Sequence, residues 1–87
     1  MQDNLNRQCS WVRAKDALPN GVVSAWHARQ GGRSLCAVFH LADGGTFMLA
    51  YQKIGEAKPT VERFETFDGA QEKANTVLST CLLRPRD

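Results

Sequence analysis

Residues 34–52 read SLCAVFHLADGGTFMLAYQ, and this stretch decides the fold. Two apolar blocks, 35–41 and 47–51, flank Ala42-Asp43-Gly44-Gly45. Asp-Gly and Gly-Gly supply the positive φ angles that tight hairpin turns need. The blocks are too short for helices once the glycines interrupt them, and Val38, Phe39, Phe47 and Tyr51 favour strands. The stretch predicts a β-hairpin. As the most apolar part of the chain, it belongs at the centre of a small sheet.

Alternation then assigns faces. Leu35, Ala37, Phe39 and Leu41 are expected to share one face with Phe47, Leu49 and Tyr51. Cys36, Val38 and His40 are expected on the other, with Met48, Ala50, Gln52 and Ile54. Upstream, VVSAWHARQ at 22–30 also alternates as a strand. Val23, Ala25, His27 and Arg29 fall on one side of it, and Val22, Ser24, Trp26 and Ala28 on the other. Gly31-Gly32 is a second hairpin turn. Pro19-Asn20-Gly21 reverses the chain before that strand. Trp11, Arg13 and Lys15 alternate with Val12 and Ala14, which suits an edge strand, although the Ala, Arg and Lys content of 9–18 also suits a helix. Residues 1–8, polar and rich in Asn and Gln, read as a flexible arm.

Downstream, Pro59 closes a loop at 55–60, and VERFETF at 61–67 is charged enough for an edge strand. A helix is expected over 68–83. Asp68 would cap it, with Gln71 completing a capping box. Ala70, Ala74, Val77, Leu78, Cys81 and Leu82 form one apolar stripe at helical period. Arg84-Pro85 would end it. The fold class is therefore α+β: one domain over 1–87, with an antiparallel sheet of three to five strands and one C-terminal amphipathic helix packed on one face.

Eighty-seven residues bury a modest fraction of their surface. The net charge of +2 is too small to imply a nucleic-acid partner by itself. The acidic residues concentrate just before and inside the helix start, where negative charge is favoured. Three cysteines, Cys9, Cys36 and Cys81, are odd in number and widely spaced, a poor disulfide framework and a poor zinc site. A reducing, cytoplasmic setting follows, with no metal and no cofactor expected. The first ten residues lack the basic and apolar regions of a signal peptide, and no run approaches a membrane span.

No motif of catalysis stands out. His27 and His40 lack a diagnostic ligand spacing, and Ser24, His27 and Cys36 lack the local signature of a catalytic triad. Glu62 and Glu65 read as solvated rather than as an acid–base pair. Gly31-Gly32-Arg33 could hold an anion, but a hairpin needs those glycines anyway. Trp26, His27, Arg29, Arg33 and Tyr51 are the candidate partner-binding residues, because aromatic and cationic side chains dominate protein hot spots. The same chemistry serves single-stranded nucleic acid.

Strands followed by a helix resemble two nucleic-acid-binding families in topology. The double-stranded RNA-binding domain opens its last helix with a basic cluster, whereas 68–72 here is Asp-Gly-Ala-Gln-Glu. The single-stranded DNA-binding transcriptional coactivator fold runs four strands into a helix and dimerises, but topology alone does not give function. The expected role is non-catalytic binding of a partner protein, as in accessory proteins of phages or mobile elements. A nucleic-acid-binding module is the alternative. One helix covers only one sheet face, so a homodimer is expected through the other, with Val38, Met48 and Ala50 in its interface.

Overall fold

The computed structural model describes residues 10–15 and 18–85. Five strands and one helix follow in order: β1 (Ser10–Arg13), β2 (Val22–Gln30), β3 (Arg33–Leu41), β4 (Phe47–Tyr51), β5 (Thr60–Phe64) and α1 (Phe67–Thr80). The strands form one antiparallel sheet in chain order. Each neighbour in sequence is thus a neighbour in space, and short connections suffice. The α+β class is as expected. The expected arm at 1–8 lies outside the described residues.

The turns explain the register. Gly31 and Gly32 both take positive φ, 62° and 83°, as a two-residue hairpin turn requires. Leu41 N–H donates to the Thr46 carbonyl at 2.8 Å and closes a four-residue loop over 42–45. That loop sets Cys36 opposite Tyr51, Val38 opposite Leu49 and His40 opposite Phe47. Cross-strand neighbours share a face, so Cys36 and Val38 lie with Leu49 and Tyr51. This corrects the face assignment above. Val38 is fully buried beneath the helix, at 0% exposure, and takes no place in an exposed interface. Ala37, Phe39, Met48 and Ala50 occupy the opposite face. Both phases of β3 are apolar, so alternation alone could not choose between them, and a one-residue slip reverses every side chain.

A bulge adds to the difference. Ala28 pairs with Cys36 but Arg29 pairs with Ser34, which leaves Leu35 as the extra residue. Leu35 then packs against the helix-side core, while Ser34 Oγ meets His27 Nδ1 on the other face, at 3.2 Å. Such an insertion re-aims the side chains around it.

The helix begins earlier than Asp68. Thr66 is the N-cap, and its hydroxyl accepts from Gly69 N–H at 3.0 Å. Phe67, the first helical residue, is held among Trp11, Trp26 and Phe47, with ring centroids 6.4, 4.7 and 6.0 Å away. Ala70, Ala74, Val77 and Leu78 pack down onto the sheet. The helix also ends earlier than 83. Cys81 is extended, and the chain continues as a strand-like segment beside the end of β4. Ile54 N–H donates to Leu82 O, and Arg84 N–H donates to Gln52 O. These bonds satisfy backbone groups that a helix would otherwise carry. Leu83 therefore enters the core, while Leu82 is exposed.

Candidate binding face

The helix rests on β3, β4 and β5 from one side only. Among the described residues, no element packs on the other side of the sheet. The pairing register places Ala25, His27 and Arg29 of β2 on that open face, with Ala37 and Phe39 of β3, Met48 and Ala50 of β4, and Val61 and Arg63 of β5. Val12 of β1 stands beside His27.

The candidate partner-binding residues do not form one site. Trp26 and Tyr51 are on the helix side. Trp26 packs on Phe67, and Tyr51 is 7% exposed with its hydroxyl donating to Glu62 Oε2 at 3.1 Å. Burial raises the Tyr51 phenol above its ordinary pKa, and the Glu62 carboxylate adds to this. His27 and Arg29 remain on the open face. Arg33 is exposed at the hairpin end. Of the residues expected in a dimer interface, Met48 and Ala50 are on the open face and Val38 is not.

The aromatic residues are sorted by side. The chain has two Trp, one Tyr and four Phe. Trp11, Trp26, Phe47, Tyr51, Phe64 and Phe67 all belong to the helix-side core or pack against it. Phe39 alone faces the other way, opposite Met48. It is a functional candidate that alternation misplaced. The four-residue loop was its signal, since an even loop length fixes which β4 residues share its face.

Two depressions mark the open face. One, of about 300 Å³, is lined by His27, Ser34, Ala37, Phe39, Ala50 and Pro59 among others. The second, of about 360 Å³, runs along the β1–β2 edge and is lined by Val12, Arg13, Ala14, Lys15, His27 and Arg29. His27 belongs to both. Burial and then the neighbouring Arg29 charge lower its pKa from 6.5. Arg29 is anchored by donating to the Gly32 carbonyl, and Arg13 by donating to Ser24 Oγ at 3.0 Å.

Ser34 Oγ lies 3.2 Å from His27 Nδ1 and donates to the Cys36 carbonyl at 3.3 Å; the direction of the Ser34–His27 bond follows the ring tautomer. Among the described residues, no three His, Cys, Asp or Glu side chains gather as metal ligands. No helix among them is long and apolar enough to cross a membrane. No family model, no curated protein and no solved structure matches this chain.

Proposed function

We propose that this chain is a non-catalytic binding module that engages a partner protein through the sheet face its helix leaves open. The observation that carries this reading is the sidedness of the sheet. One face is sealed by α1, and the other presents Ala37, Phe39, Met48 and Ala50 beside the cationic Arg29 and Arg63. An apolar centre with polar residues around it is the composition of a protein interface. Withdrawal of six of the seven aromatic rings to the helix side weighs against single-stranded nucleic acid, which stacks its bases on exposed aromatics.

Affinity capture from the native cell extract, with and without nuclease, tests the reading. The wild-type chain should retain a protein after nuclease treatment, and Phe39→Glu should release it. Capture that nuclease abolishes, or that Phe39→Glu leaves intact, would overturn it. A second copy of the chain is the other occupant the apolar strip suits, since two such faces related by a two-fold axis would cover each other.

A further inference from the structure

We infer that the partner segment seated on the open face is acidic, with carboxylates over the β1–β2 depression and an apolar side chain in the groove floored by Ala37 and Ala50. This rests on the binding role proposed for that face and names the chemistry of its occupant.

Charge complementarity is the argument. The β1–β2 depression is lined by Lys15 and Arg29, with His27 at its border and no carboxylate among the described residues that line it; Arg13 also borders it, but its guanidinium turns to Ser24 on the helix side. Six of the nine Asp and Glu fall among the described residues. The carboxylates of the described residues lie elsewhere: Glu62 beneath the sheet bonded to Tyr51, Asp68 and Glu72 on the helix, Asp43 and Glu56 in loops, and Glu65 between β5 and the helix. Lys15 and Arg29 beside one hollow repel each other until an anion enters. Arg29 is also held in place by its bond to the Gly32 carbonyl, so less ordering is left for binding to supply. Guanidinium groups suit carboxylates because their planar donors can engage both oxygens.

The adjoining groove sets the second requirement. It meets the cationic hollow at His27 and is floored by small side chains, Ala37 and Ala50, with Phe39 and Pro59 as walls. A volume of about 300 Å³ accepts a large aliphatic or aromatic side chain. A phosphate backbone would use the cations but would find only one open-face ring for its bases, so an acidic polypeptide fits both halves better. Two copies of this chain meeting on this face would bring like charges together, which favours a different protein over a second copy.

The probe is a fluorescent peptide with the repeating sequence Asp-Asp-Leu-Phe, compared at low salt with its Asn-Asn-Leu-Phe counterpart and with oligothymidylate. Anisotropy gives affinities, and backbone amide shifts of the full chain locate the contact. The acidic peptide should bind at least about tenfold tighter than the neutral one and shift Val12, His27, Ala37 and Ala50. Arg29→Glu and Lys15→Glu should each weaken it about tenfold, whereas Arg63→Glu, on β5, should change it less than about twofold. Equal affinity for the neutral peptide, tighter binding of oligothymidylate, or no acidic-peptide binding at about millimolar concentration would each overturn the inference. If Phe39→Glu abolishes extract capture while both charge reversals leave it intact, the acidic chemistry is wrong and the binding face stands. If none of the three affects capture, the face itself is wrong. The wild-type shift map keeps the test decisive should a variant fold poorly.

Discussion

Tyr51 and His27 show how one residue's surroundings translate into measurable behaviour. Tyr51 is the only tyrosine, so the tyrosinate absorbance band reports it alone. Burial and Glu62 raise its folded pKa. The unfolded phenol therefore ionises first as pH rises past about 10, and stability present below that pH is lost as pH climbs through the higher folded value. Tyr51→Phe should cost about 0.5–1.5 kcal/mol at neutral pH by removing the bond to Glu62, and should flatten the alkaline loss. Denaturant melts across pH check both. His27 runs in the opposite sense. Its folded pKa is lowered, so its contribution is complete above about 6.5 and is lost as pH falls through the folded value. NMR titration should find it below the ordinary range, and Arg29→Gln should move it partway back, burial being the larger cause.

At the scale of elements, α1 is held by its stripe and by its first residue. Leu78 is 2% exposed against the sheet, and Leu78→Ala should cost about 2–5 kcal/mol in denaturant melts. Thr66→Ala should cost about 1 kcal/mol, and Asp68→Ala less, because Thr66 is the residue whose side chain caps the helix. Much of this was legible in the sequence. Gly31-Gly32 announced its hairpin, VVSAWHARQ its strand with the faces of 24–29 correct and only Val22 displaced by a register shift before Ser24, and Ala70, Ala74, Val77 and Leu78 their stripe. Other features were not legible, because they depend on contacts between distant residues. Thr66 outranks Asp68 as cap because Phe67 must reach Trp11 and Trp26, which lie far away in sequence. Cys81, Leu82 and Leu83 continue the helical period, yet the chain leaves the helix because residues 52–54 offer backbone partners.

For the molecule as a whole, the question is which side of the sheet is needed for folding and which is free to bind. His27 and Arg29 could be placed on the open face from β2 alone. Phe39 and Val38 were exchanged, because the two phases of β3 are equally apolar and only the loop length and the Leu35 bulge separate them. If a second copy occupies the open face, sedimentation at micromolar concentration will show a dimer that Met48→Lys returns to monomer. If the occupant is an acidic partner, the isolated chain will sediment as a monomer.

The sidedness itself is tested most directly by melting Val38→Lys and Met48→Lys in parallel. Val38 is sealed under α1, so a lysine there buries an unpaired charge and should cost more than about 4 kcal/mol, enough to unfold a small domain. Met48 is on the open face, where the lysine stem can lie along the sheet with its ammonium in water, and the melt should stay within about 1 kcal/mol of wild type. Equal losses at the two positions, or a larger loss at Met48, would contradict the account.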